Sequence, residues 1–515
     1  MTATPLHPQP EPLTPRNGAL RPPTVEDAPL DTSIAREEFA SSVDRLHTRR
    51  LDDHRRALPL SFVPADRGPE RRGSPSKMRT GGTVGRSPIG DALAALAARD
   101  RSAREVVTQS LEAVDRRDHK LNAIATLVAE QALAEADQLD AELRDTGVLR
   151  PLHGVPITIK DVIDVGNVVT RGGSDAYEDT PTVDAVAVAR LRAAGAIVIA
   201  KTTTHEFALG VTNPQSRNPH DLSRIPGGSS GGSAIAVATG MGLASLGTDT
   251  RASIRVPAAL SGTVGFKPTF GRVPNTGVVS LSWTMDHVAP MAQTVTDAAR
   301  LMDVLIGAGS DLTHAERAFG ASGLRVGVPS AGFAGADPDV EASVRAAIGD
   351  LEAGGALVAE CERPSSADFD DANAVGLIIS RAEAASFHRT LGTDLSRCWT
   401  EIAEQLAAAA SISAVDYLDA QRARGHLADA MLDVFNDIDV LALPTTLVTA
   451  PPVDDFAQYL MVLSRNAIPW SLIGFPAISV PCGTDRHGLP IGLQLVAPPH
   501  HEGLLVAVAR AHESR

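Results

Sequence analysis

The sequence predicts an α/β fold built on one parallel or mixed sheet. Three observations carry that expectation. From Ser87 onward, short apolar runs alternate with segments of helical periodicity; residues 155–200 run strand, helix, strand; and the Gly- and Ser-rich segment 227–272 keeps a regular apolar spacing instead of reading as a linker. With 515 residues, 43% hydrophobic and 21% charged, the chain can bury a large core in one or two domains.

Residues 1–86 are rich in Pro and Arg, and their basic residues outnumber the acidic ones while the remainder carries the acidic excess. A helix is expected within 34–56, but Pro59, Pro64, Pro69 and Pro75 break the pattern beyond it, so most of 1–86 is expected to be a loose or disordered extension. Ile89, Leu93 and Leu96 then recur at helical spacing, 104–117 continues it with Val106, Val107, Leu111 and Val114, and 129–143 is an Ala-rich helix. Residues 155–160 read as a strand, 184–194 as a helix stopped by Gly195, and 196–200 as a second strand. The carboxyl half continues with strands at 324–328, 440–443, 477–481 and 491–496. Helices are expected at 340–351, within 372–391 and 414–435, and from His501 to the end. One sheet takes all the strands.

A net charge of -15 argues against a grip on phosphate backbones, which needs clustered Lys and Arg. Cys361, Cys398 and Cys482 lie far apart without a CxxC, so neither a disulfide framework nor a zinc site is expected, and a reducing cytoplasm fits. No export signal is visible, and the apolar stretches are interrupted well short of the roughly 20 residues that a membrane span requires. The expected partner is a small molecule, with no nucleic acid and no membrane; a homodimer is allowed for.

The chemistry-bearing sequence is Pro226-Gly-Gly-Ser-Ser-Gly-Gly-Ser233, then Gly247-Thr-Asp-Thr-Arg-Ala-Ser-Ile-Arg-Val-Pro257, with Ile157-Thr-Ile-Lys-Asp161 upstream. These three ordered pieces resemble the amidase signature family, in which a strand-borne lysine precedes a GGSSGG loop and the nucleophile follows the first serine of that loop by 24 residues; here 253 − 229 = 24. The resemblance runs from about Ser87 to the end and includes 262–272, Asp286-His-Val-Ala-Pro290 and 474–481, so 87–515 is the expected catalytic domain. It implies a large, mixed, twisted central sheet with helices on both faces, no cofactor and no metal. It also implies hydrolysis of a carboxamide, or a related ester, urethane or urea, through an acyl-enzyme. Residue by residue, Lys160 matches the base, Ser229 the relay serine after a cis peptide bond, and Ser253 the nucleophile. The backbone N–H groups of Thr250, Arg251, Ala252 and Ser253 match the oxyanion hole; Ser230, Asp249 and Arg255 resemble the supporting polar shell.

Elementary chemistry agrees with that assignment. A serine hydroxyl needs an adjacent base, and a lysine can serve only when burial makes it neutral; Lys160 ends an apolar strand. A Lys160–Ser229–Ser253 chain would take the proton from Ser253 and return it to the departing nitrogen. Taken singly, Ser229 and Ser253 read as loop or capping serines and Lys160 as a surface lysine, but their joint spacing outweighs that. The Gly-rich loop matches neither GxxxxGK[ST] nor GxGxxG after a strand, so it is not expected to cradle phosphate. No G-x-S-x-G elbow supports a triad with His205 or His287, which are expected to be structural or pocket-lining. Asp161 and Asp164 lack convergent His or Cys partners and read as loop and capping residues.

Two departures from the family pattern stand out. Segment 211–226 is short, which alters one wall of the substrate channel, and Arg251-Ala252 occupies positions where glycines are usual. Negative φ at both would tolerate the change, and that is the expectation. The Arg251 guanidinium has two destinations: inward to a substrate carboxylate, or outward to a structural partner, the latter favoured because charges are usually kept in water or paired within protein. Rival functions are the amidase component of a glutamine amidotransferase and a catalytically impaired relative that acts as a binding module.

Overall fold

A strand that lacks a polar face must be covered on both sides, and the one expected at 196–200 is of this kind. The computed structural model describes residues 33–48, 87–307, 309–317 and 321–514. The strands of its sheet are β1 (Ile124–Leu127), β2 (Pro156–Lys160), β3 (Ile197–Thr202), β4 (Ala244–Asp249), β5 (Val264–Lys267), β6 (His287–Ala292), β7 (Arg325–Pro329), β8 (Leu357–Cys361), β9 (Val440–Pro444), β10 (Ala477–Thr484) and β11 (Pro490–Val496). They lie in the order β1-β3-β2-β4-β6-β5-β10-β11-β9-β7-β8. Every residue of β2, β3 and β4 is buried. Alternate residues of β3 enter different cores: Ile197 and Ile199 pack with Val107, Ala132 and Ala136, whereas Val198 packs with Val188 and Leu191. Helices therefore cover both faces, and the α/β class with one large mixed sheet holds.

Local sequence sets the helix ends. Ser102 accepts from the Glu105 N–H at 3.1 Å while Glu105 accepts from the Ser102 N–H at 2.8 Å, a reciprocal cap that starts the helix Ala103–Leu121. Ser87 caps Pro88–Ala98, where proline in the first turn sacrifices no helical hydrogen bond.

The topology brings the chemistry to one edge. β2 pairs parallel with both β3 and β4, so Lys160 and Asp249 end at the same side of the sheet. β6 runs antiparallel to β4 with His287 opposite Asp249, which returns Asp286 to that same edge. Polar groups gather beyond the carboxyl ends of parallel strands because the sheet interior cannot satisfy them.

The elements expected from sequence are present with boundaries shifted by a few residues. Four strands within or beside Gly-, Ser- and Pro-rich stretches were not expected (β1, β4, β5 and β6), nor was β8. The helix expected within 34–56 spans Ser33–Thr48, and it is packed, not loose. Phe39 and Ala35 are buried against Leu377, Ala408 and Ala409, and Arg45 Nε donates to Asp371 at 2.8 Å. An amphipathic helix of this length is marginal alone, so packing against the helix Ser366–Leu391 is what orders it. The remainder of the extension lies outside the described residues.

This packing makes a testable statement. Phe39→Ala removes the aromatic anchor of the Ser33–Thr48 helix, a loss of about 3 kcal/mol or more for a buried Phe. Amide hydrogen exchange within 33–48 should accelerate by on the order of 10²-fold while that of β2–β4 stays unchanged; unaltered protection in 33–48 would show that the helix is held otherwise.

Candidate active site

Lys160, the last residue of β2, is fully buried, and its Nζ donates to Ser229 Oγ at 2.7 Å and to Thr248 Oγ1 at 2.8 Å. Burial pushes its pKa down, the nearby Asp249 and Asp286 carboxylates push it back up, and the balance is about 7. The amine is therefore poised between its charged and neutral forms at neutral pH.

Ser229 lies in the tight loop between Pro226 and the helix Gly231–Ala238, and the Gly228–Ser229 bond is cis. A Cβ on Gly228 would stand 1.8 Å from the Thr212 carbonyl oxygen, so glycine is required there by close backbone approach. At Gly247 in β4 the crowding comes from side chains: a Cβ would fall 2.7 Å from Ile254 Cδ1 and 2.8 Å from Ser230 Oγ. Ser230 Oγ donates to the Thr248 carbonyl at 3.1 Å, and the Ser230 N–H donates to the Ser253 carbonyl at 3.2 Å. Ser230 thus ties the first serine loop to β4 and to the second serine.

Ser253 sits in the turn between β4 and the helix Arg255–Ser261 and is 4% exposed. The first link of the expected relay is formed, Lys160 to Ser229. The second is not closed: the Ser253 hydroxyl makes no hydrogen bond to a described residue. Arg251 and Ala252 are absent from the residues with positive φ, so the backbone accepts side chains where glycines were expected.

Asp249 and Arg255 fix this turn from beneath. Arg255 Nη2 and Nε each reach the Asp249 carboxylate at 3.0 Å, Ser471 Oγ donates to it at 2.7 Å, and the Ile254 N–H donates to it at 3.2 Å. Burial alone would raise the Asp249 pKa, but Arg255 holds it well below the usual carboxylate range. The remaining Arg255 donors go to the Ala467 carbonyl and Gln494 Oε1, both at 2.8 Å, and to the Arg251 carbonyl at 3.3 Å. This is a buried pair with its valences filled, the condition under which such pairs are tolerated.

Sequence shows Asp286 only as part of a motif, and its place in the structure is central. It accepts from Thr250 Oγ1 at 2.6 Å, from Ser280 Oγ at 2.7 Å and from the N–H groups of Leu281 and Ser282, each at 3.1 Å. Burial raises its pKa to about 6 against those hydrogen bonds. Thr248 was likewise missed, although its position beside Asp249 at the end of β4 could have flagged it. Of the histidines, His205 donates its backbone N–H to the Ser229 carbonyl at 3.2 Å and packs edge-on against Trp399, while His287 Nδ1 contacts the Asp249 carbonyl at 3.0 Å. Burial keeps both below the usual imidazole range. Asp161 lies in the turn that follows β2, as expected, and it also pairs with buried Lys201 of β3 at 3.1 Å, which sequence did not show. Asp164 accepts from Thr170 Oγ1 at 3.0 Å and belongs to the loop, as expected.

Comparison with known proteins supports the same reading. The Amidase family model matches residues 105–506. The chain is 36% identical over 467 residues to a glutamyl-tRNA(Gln) amidotransferase component of Koribacter versatilis, covering 81% of this chain and 96% of that protein. It is 36% identical over 434 residues to an amidase of Pseudomonas putida, covering 80% and 92%. The peptide amidase of Stenotrophomonas maltophilia superposes with a TM-score of 0.73 at 29% identity, covering 83% of this chain and 96% of its own. A buried, near-neutral lysine joined to a serine at the mouth of a Gly-Ser loop, on a chain matched over most of its length, identifies a member of the amidase signature family, hydrolases of carbon–nitrogen bonds.

Proposed function

We propose that this protein hydrolyses a small-molecule amide through an acyl-enzyme on Ser253, with Ser229 as relay and Lys160 as base. The observation that carries the proposal is the fully buried Lys160 amine, tuned to about 7 and 2.7 Å from Ser229 Oγ. Substrate closes the second link by bringing Ser253 Oγ toward Ser229, since catalytic hydrogen bonds often tighten only in the complex. Ser253 attacks the carbonyl carbon, its proton passes to Ser229, and the Ser229 proton passes to neutral Lys160. The tetrahedral oxyanion is met by the N–H groups of Thr250, Arg251, Ala252 and Ser253. Collapse breaks the C–N bond, and the proton returns from Lys160 through Ser229 to the leaving nitrogen. Water then repeats the sequence on the acyl-serine and releases the carboxylic acid.

A second reading draws on the similarity to the Koribacter amidotransferase component: the same site would release ammonia from glutamine for a partner enzyme. Co-purification with partner proteins would support it. A catalytically impaired binding module would fail to react with a fluorophosphonate probe.

Ser253→Ala should lower kcat by at least about 10³-fold with no loss of folded protein, because one oxygen is removed without opening a large cavity; normal turnover by the folded variant would exclude Ser253 as nucleophile. In the wild type, kcat/KM should rise with pH through about 7 as Lys160 loses its proton. Lys160→Ala should lower the rate strongly and displace the optimum upward, so a near-native rate with an unchanged profile would count against Lys160 as base. Asp286→Asn removes a charge that holds the Lys160 pKa up, so the acidic limb should move to lower pH. A limb that stays fixed in this variant would show that the two groups are not coupled.

A further inference from the structure

Arg251 and Arg381 are an unusual pair. Arg251 lies two residues before Ser253 and turns toward the long helix Ser366–Leu391, where its Nη2 donates to Asn373 Oδ1. Arg381 stands two turns further along that helix, is 7% exposed, and donates through Nη2 to the Leu209 carbonyl at 3.3 Å. The Nε of each is buried without a hydrogen-bond partner. Burial lowers both, Arg251 to about 9 and Arg381 to about 10, and the charge of Arg381 adds to the lowering of Arg251. Glu38 and Glu401 soften the repulsion from a distance, but both are exposed, and among the described residues neither guanidinium has a carboxylate at ion-pair distance.

Arg255 shows what the same protein does with an arginine whose role is structural: every nitrogen is matched and an aspartate faces it. Two cations with buried, unfilled donors and no facing carboxylate among the described residues are costly unless an anion is to be received. Their position says which anion. Arg251 is partly accessible and is carried by the turn that holds Ser253, whereas Arg381 donates to Leu209 in the short segment whose His205 N–H holds the Ser229 carbonyl.

We propose that Arg251 and Arg381 form an anion-binding subsite between the Ser253 turn and the long helix, and that the substrate is an amide carrying a carboxylate a short spacer from the scissile carbonyl. The substrate assignment rests on Ser253 as nucleophile; the anion site does not. The structural partner expected for Arg251 is present only as neutral Asn373, which leaves its charge uncompensated.

The test compares succinamate with butyramide, which differ in the distal carboxylate, and measures the ratio of their kcat/KM values. Arg251→Gln and Arg381→Gln should each lower the ratio about 10-fold or more, the loss of one charge-assisted hydrogen bond, and Arg251→Lys should restore part of it. Because it is a ratio, general losses of activity cancel. In parallel, isothermal titration of succinamate into Ser253→Ala protein should give binding that weakens by a similar factor when either glutamine substitution is added. An unchanged ratio together with unchanged succinamate binding in both variants overturns the subsite. Binding that depends on both arginines in a protein that turns over neither amide leaves the subsite standing and removes the hydrolase reading instead.

Discussion

The Asp249–Arg255 pair is the contact on which the site depends. Asp249 ends β4, Arg255 begins the helix after the turn, and the two-pronged bridge between them fixes the intervening residues Thr250–Ile254. Arg255 also reaches the Ala467 carbonyl, Ser471 and Gln494, and so locks the turn to the opposite half of the sheet. Removing one partner of such a pair costs about 3–5 kcal/mol because the other is left as an uncompensated buried charge. The pair has a second effect: it keeps Asp249 ionised, and that charge helps hold the Lys160 pKa near 7 against burial.

Two opposed forces therefore set the base. Desolvation in an all-buried strand end would drive the lysine to a weak, permanently neutral amine, whereas exposure would leave it protonated and inert. Carboxylates at the same sheet edge, supplied by β4 and by the residue before β6, place it between those limits. The hydroxyls of Ser229 and Thr248 give the amine hydrogen-bond partners without adding another charge.

The helix Ser33–Thr48 packs on the long helix that receives Arg251. By burying Phe39 against the helix Ser366–Leu391, it rests on the same element that carries Asn373 and Arg381, and it sets Glu38 within the field of both arginines. The same helix is also held beside Arg381 by Glu383, acceptor of the Ser282, Thr284 and Tyr417 hydroxyls.

The chemistry-bearing core is legible in the residues alone: three motifs in order, with Ser229 and Ser253 separated by 24 residues, and a lysine closing an apolar strand. The sequence also specified most strands and helices of the carboxyl half, where apolar periodicity is uninterrupted. It did not reveal β4–β6, because their Gly, Ser and Pro residues have weak strand propensity and are held by pairing and burial instead. Nor could it place Asp286 opposite Thr250, pair Asp161 with Lys201, or set Arg251 against Asn373 on the helix that carries Arg381, since each depends on strand register or on a helix more than 100 residues away. Sequence spacing records local geometry. Charge balance in a buried site is a property of long-range neighbours, and only the folded chain decides which of them meet.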